Sequence, residues 1–223
     1  MGMPTVAMGL LGLLMSPGEA AALLVVPATV TNVWQLWDGP AFRPLLRRLW
    51  PLLVGICLGT WAGAGALSGA NAGHATMALG LALAAYALLG LSPWRLEAPP
   101  RHAFWLSPLV GFTTGLITAA TGVFVIPAVP YIQALRLDRE DLIQALGLSF
   151  TVSTLALAGN LVRDGAFDHL ATIGASLLAL APALIGLAIG TALRRRIPPG
   201  PFRVWFFLGL LGLGLHLALR NLL

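Results

Sequence analysis

Between Gly111 and Gln133 the chain sets Thr113, Thr114, Thr118 and Thr121 among Gly111, Gly115 and Gly122, followed by Pro127, Pro130 and Gln133. Hydroxyl and amide groups offer hydrogen bonds without a fixed charge, which suits holding an anion and letting it go. Pro127 and Pro130, with Thr121-Gly122, should break any helix here. A break in lipid leaves peptide groups unpaired and survives only when buried in protein or lining a cavity. Free N–H groups at a half-helix start form a partial positive end that attracts anions. The same composition also lets helices pack closely, so two readings of the stretch stand side by side.

Two further apolar segments carry polar side chains. Residues 19–37 hold Pro27, Thr29, Thr31, Asn32 and Gln35, and residues 142–161 hold Ser149, Thr151, Ser153, Thr154 and Asn160. Asn32 and Gln35 lie one helical turn apart on one face. Such groups either join helices or line a path. Thr31, Asn32, Gln35, Ser149, Ser153 and Asn160 therefore join Thr113, Thr114, Gly115, Thr118, Thr121, Gly122, Pro127 and Gln133 as candidate substrate-binding residues. Pro27 removes one helix hydrogen bond and marks a kink.

Catalytic chemistry finds little footing. No Gly-x-Ser-x-Gly and no His-Glu-x-x-His occurs, and Glu19 stands at a helix start, where the dipole accounts for it. His74, His102, His169 and His216 are peripheral and not spaced as metal ligands. The single Cys57 excludes an internal disulfide. No nucleotide-binding motif is present, so neither a cofactor nor direct ATP drive is expected.

Composition places these residues in lipid. Apolar residues make up 58% of the chain, charged residues 9%, and the mean hydropathy is +0.87. Soluble domains carry about 25% charged residues. All 13 basic residues are Arg, and the net charge is +5. Because they cluster in short loops, they read as cytoplasmic markers and not as a nucleic-acid surface. Trp37, Trp50, Trp94 and Trp105 fall near segment ends, as in an interfacial belt.

Spanning helices, which need about 20 apolar residues, are predicted over residues 19–37, 49–69, 75–92, 142–161, 170–193 and 203–220, with a short apolar piece at 4–14. The tract 104–135 would be roughly 48 Å long as one helix, beyond the ~30 Å hydrocarbon core, and should break near Thr121-Gly122 into a hairpin or re-entrant pair.

The chain also nearly repeats itself. Gly186-Leu187-Ala188-Ile189-Gly190-Thr191 echoes Gly55-Ile56-Cys57-Leu58-Gly59-Thr60, Asp164-Gly165 echoes Asp38-Gly39, and Ile126-Pro127 echoes Met3-Pro4. Arg-rich loops fall at non-corresponding positions, 38–48 in one copy and 194–203 in the other, the mark of halves inserted in opposite orientation. The expected fold is an all-α polytopic membrane protein of two inverted-topology repeats. Each repeat is a broken or re-entrant hairpin plus three transmembrane helices, with the first hairpin largely missing. Residues 1–92 form the first repeat, 93–103 a cytoplasmic linker and 104–223 the second. A start codon assigned too far downstream is the favoured explanation of the short first copy.

Gly111-Phe112-Thr113-Thr114-Gly115-Leu116, with Thr121-Gly122, Pro127 and Tyr131-Ile132-Gln133-Ala134-Leu135, resembles the second signature of the TauE/SafE family, also described as TSUP permeases. Ser16-Pro17-Gly18-Glu19-Ala20 and the Gly55/Gly59-Thr60 segment resemble its first half. Two departures stand out: fewer glycines at Gly122-Val123-Phe124, and a start at about the Pro that closes the first hairpin. The resemblance implies a secondary transporter of sulfite or organosulfur anions in a bacterial inner membrane, working by alternating access and not as an enzyme. The expected partners are the small anion and the bilayer, with a homo-oligomer left open. A truncated, non-transporting membrane subunit and, less favoured, an intramembrane enzyme are the alternatives.

Overall fold

The computed structural model describes residues 3–37, 39–67, 72–92, 103–167, 170–194 and 199–220. Among them the chain is helical throughout, with no strand: α1 (Met3–Leu11), α2 (Pro17–Trp37), α3 (Phe42–Ala62), α4 (Ala72–Leu91), α5 (Ala103–Thr121), α6 (Ala128–Ala134), α7 (Arg139–Arg163), α8 (Leu170–Arg194) and α9 (Pro199–Leu219). By length and composition α2, α3, α4 and α7 can each cross a membrane, and α8 and α9 contain shorter apolar stretches. Tryptophans 34, 37, 50, 61, 105 and 205 are exposed, as an interfacial belt requires.

Glycine sets how closely the helices lie. A Cβ on Gly55 or Gly59 of α3 would run into the carbonyls of Pro108 and Phe112, and one on Gly111 or Gly115 of α5 into those of Leu52 and Ile56. The two helices therefore touch backbone to backbone, the close approach that small residues permit in lipid. Gly80 of α4 and Gly214 of α9 mesh in the same way. Tyr86 and Phe207 close that seam with an edge-on ring contact at 5.4 Å. α2 packs on α7 and α8, and α3 packs on α5 and α7.

The tract 104–135 is broken, as its length demands, but its arms are unequal. α5 has 19 residues, about 28 Å at 1.5 Å per residue, so it is a full span and not a short arm. Gly55, Gly59 and Gly63 of α3 meet Pro108, Phe112 and Ala119 in turn, so the helices are parallel and α5 ends level with the end of α3. The chain then returns through residues 122–127, without helix, into the seven residues of α6. Ser107 and Tyr131 share a hydrogen bond of 2.5 Å, and Arg48 reaches the Leu135 carbonyl at 3.4 Å. The hairpin thus comes back to the end from which it set out.

Two boundaries differ from the sequence-based expectation. The helix placed at 49–69 runs from Phe42 to Ala62. Leu45 and Leu49 are buried while Arg43, Arg47 and Arg48 point outward, so the helix accommodates the Arg-rich segment that a hydropathy count excludes. It ends ahead of Gly65, whose φ of 82° a helix cannot continue. Arg203 and His74 also lie inside helices, not in loops. Arg203 donates twice to the Gly90 carbonyl, tying the start of α9 to the end of α4. Loop 70–74 in part, Asp38, linker residues 93–102, Asp168, His169 and Arg195 to Pro198 fall outside the described residues.

Candidate functional site at the hairpin break

Thr121 closes α5. Its hydroxyl donates to the Ile117 carbonyl at 2.6 Å and accepts from the Val123 N–H at 3.1 Å. Gly122 turns the chain with φ of +70°, a conformation open to glycine at no steric cost. Its N–H still reaches the Thr118 carbonyl at 2.8 Å. Met8 of α1 and Ala21 of α2 press against this turn. Beyond it the backbone leaves the helical pattern while staying buried. Phe124, Val125 and Ile126 are nearly inaccessible, and their three successive N–H groups find no acceptor among the described residues. An unmade hydrogen bond on a buried peptide group costs about 1–3 kcal/mol.

The threonines of α5 hydrogen-bond within their own helix. Thr113 donates to the carbonyls of Leu109 and Val110, Thr114 to that of Val110, and Thr118 chiefly to that of Thr114. Each hydroxyl proton is turned back onto its own helix. The donors left over belong to the backbone at 124–126. Gly115 is occupied by the α3 contact. Pro127 is partly buried at the head of α6, after the cis Ile126–Pro127 bond. Gln133 is exposed near the end of α6, apart from the buried break.

Most polar side chains of α2 and α7 act as joints. Asn32 donates to the Thr154 hydroxyl at 3.1 Å, linking α2 to α7. Asn160 donates to the Thr60 carbonyl at 2.6 Å, linking α7 to α3. Thr31 donates to the carbonyls of Pro27 and Ala28, and Ser153 to that of Ser149. Two atoms are left over: the Oγ of fully buried Ser149 and the buried Oε1 of Gln35 have no partner. Ser149, Ser153 and Asn160 share one face of α7 by helical spacing, and Phe150 beside Ser149 packs its ring on Phe124 at 5.0 Å. Phe150 thus ties α7 to the break, and the unpartnered Ser149 hydroxyl lies one residue before it on α7.

Two joints are absent from the sequence-based candidates. Gln144 donates to the Leu36 and Gly39 carbonyls and accepts from the Ala41 N–H, clasping the turn from α2 to α3. Ser176 of α8 donates to the Leu23 carbonyl at 2.9 Å. That carbonyl is the one Pro27, lacking an N–H, cannot satisfy. Pro27 was thus the only available signal for Ser176: a proline in a buried helix demands a donor from outside.

Glu19 is engaged at the start of its own helix. Glu19 accepts from the Ser16 N–H and hydroxyl at 2.9 and 2.8 Å, while Ser16 accepts from the Glu19 N–H. This is a capping box, so the carboxylate belongs to the start of α2. Among the described residues no group of three His, Cys, Asp or Glu could hold a metal ion.

No curated protein and no solved structure matches the chain. A family model described as "Sulfite exporter TauE/SafE" matches residues 1–217, nearly the whole length. It bears out the resemblance carried by Gly111 to Leu135 and by Ser16 to Ala20. The chain is a multi-pass membrane protein that belongs to the TauE/SafE sulfite exporter family.

Proposed function

We propose that this protein is a secondary transporter of small oxyanions, sulfite or organosulfonates, across a bacterial inner membrane. The observation that carries the reading is the run of buried, unpartnered N–H groups at Phe124, Val125 and Ile126. Peptide N–H groups turned into a dry site favour an anion, and the absence of a fixed cation keeps the hold weak enough for release. Family membership supports the same substrate class. The site is the break itself, with Thr118, Thr121, Gly122 and Pro127 shaping it and Ser149 adding a hydroxyl. Residues 1–92 and 104–223 are the two inverted halves, joined by 93–103, and they rock about this site in alternating access. The pairing of α2 with α7, and the matching of α3 on α7 by α8 on α2, support that division. The Arg-bearing segments 38–48, 93–103 and 194–203 are assigned to the cytoplasmic side by their charge.

One observation favours a second reading, a membrane subunit that works against another helix. Gly186 on α8 has open space at its Cβ position, whereas its sequence counterpart Gly55 is pressed against α5.

Calorimetric titration of the detergent-purified protein separates these readings. Saturable heats are expected with sulfite and with taurine, and weaker ones with chloride. Equal and non-saturable heats for all three solutes would reject the oxyanion site.

A further inference from the structure

We infer that the outward face of α3 is a docking surface for an anionic phospholipid, its phosphate held between Arg43 and Arg47. Several arginines of this chain are committed to backbone carbonyls at helix ends: Arg48 to Leu135, Arg203 to Gly90, Arg220 to Leu13. Arg43 and Arg47 are not. Both are exposed, and neither has a hydrogen bond or ion pair among the described residues. They stand four residues apart in the first turns of α3, so their guanidiniums lie one above the other on one face. Two such groups set side by side fit the geometry of a phosphate diester.

The same face continues in the shape of a lipid. Arg43, Arg47, Trp50, Val54, Leu58 and Trp61 follow one another at intervals of three or four residues, which keeps them on one side of a helix. Trp50, Val54, Leu58 and Trp61 are about half exposed or more, at 51, 47, 54 and 61%. From Arg43 to Leu58 the stripe is about 22 Å long at 1.5 Å per residue, about half of the ~40–45 Å bilayer with its headgroups and so the depth of one leaflet. It offers a basic pair for a headgroup, an indole at interfacial depth and an aliphatic path for a chain. Charge complementarity selects an anionic lipid: a zwitterionic headgroup leaves two guanidiniums facing one net-neutral group. The adjoining face of α3 carries Gly55 and Gly59 against α5, so a lipid seated here lies against the helix on which the broken hairpin rests.

Native mass spectrometry of the full chain in neutral detergent tests this, with phosphatidylglycerol and phosphatidylcholine as probes. Phosphatidylglycerol is expected to bind more tightly. Arg43→Gln with Arg47→Gln should weaken it roughly 25-fold, taking about fivefold per guanidinium at an anionic surface. Arg139→Gln with Arg163→Gln removes two other exposed charges and should leave binding within about twofold. Soluble glycerol phosphate should not compete, because it lacks the chain that follows the stripe. Equal binding of the two lipids by the wild-type protein overturns the inference without any variant. So does equal loss in both double variants, which would mean unspecific charge, and so does full competition by glycerol phosphate, which would mean a site for a free anion.

Discussion

The side-chain amide of Asn160 on α7 donates to the backbone carbonyl of Thr60 on α3 at 2.6 Å. This carbonyl lies in the last turn of α3, where the chain tightens and the Ala64 N–H turns to Trp61 instead. A helix end leaves carbonyls that something else must satisfy, and in lipid water does not reach them. Gln144 does the same for Leu36, and Ser176 for the carbonyl stranded by Pro27. Asn160, Gln144 and Ser176 thus answer specific defects in their neighbours' backbones and join the helices that carry them.

Replacing Asn160 with Leu keeps the apolar character of α7 and removes the donor. We expect a loss of about 1–3 kcal/mol in stability, the cost of a buried acceptor left alone. Unfolding in mixed micelles measures it. An unchanged transition would show that the Thr60 carbonyl finds another donor.

Pro27 and Ser176 should be coupled. Ser176→Ala strands the Leu23 carbonyl in the wild-type background. With Pro27→Ala, a helical N–H reclaims that carbonyl, and Ser176→Ala should cost about 1 kcal/mol less. A double-mutant cycle on thermal unfolding reads the difference. Additive effects would mean that Ser176 does not act through the proline defect.

Glycines that match in sequence should part company in effect. Gly55→Ala drives a methyl into the Pro108 carbonyl on α5, whereas Gly186→Ala meets open space. The first should lower the yield of folded protein severalfold and the second should leave it unchanged, as judged by monodisperse recovery in detergent. Equal recovery would contradict the backbone-to-backbone packing of α3 on α5.

Much of this architecture is legible in the sequence, for identifiable reasons. Long apolar runs mark spans, and a tract too long for the bilayer, interrupted by Thr121-Gly122 and Pro127, announces its own break. The start of α3 is not legible from hydropathy, because Arg43, Arg47 and Arg48 mask the buried stripe of Leu45 and Leu49. The candidate site is legible only in outline. Spacing shows that Thr114 and Thr118 share a face, but it does not show that their protons turn back onto α5. The donors that remain belong to the peptide groups of Phe124, Val125 and Ile126, and no side-chain pattern reveals a backbone group. Gln133, attractive by residue type, lies exposed beyond the break. Gln144 and Ser176 each answer a carbonyl on a distant segment, a relation visible only once the helices are assembled.

Gly122→Ala tests the break locally. Its positive φ makes any Cβ costly, about 1–2 kcal/mol, and Met8 occupies the space beside it. Anion transport should fall at least tenfold at equal membrane abundance, while Gln133→Leu leaves it near the wild-type level. The reverse order would move the site to the end of α6.

The most direct measurement is the flux of radiolabelled sulfite into proteoliposomes made with the purified chain. The account predicts saturable uptake above protein-free liposomes, inhibited by taurine and sharply reduced in Gly122→Ala. Flux no greater than that of empty liposomes, or unsaturable flux untouched by Gly122→Ala, would contradict transport through the break.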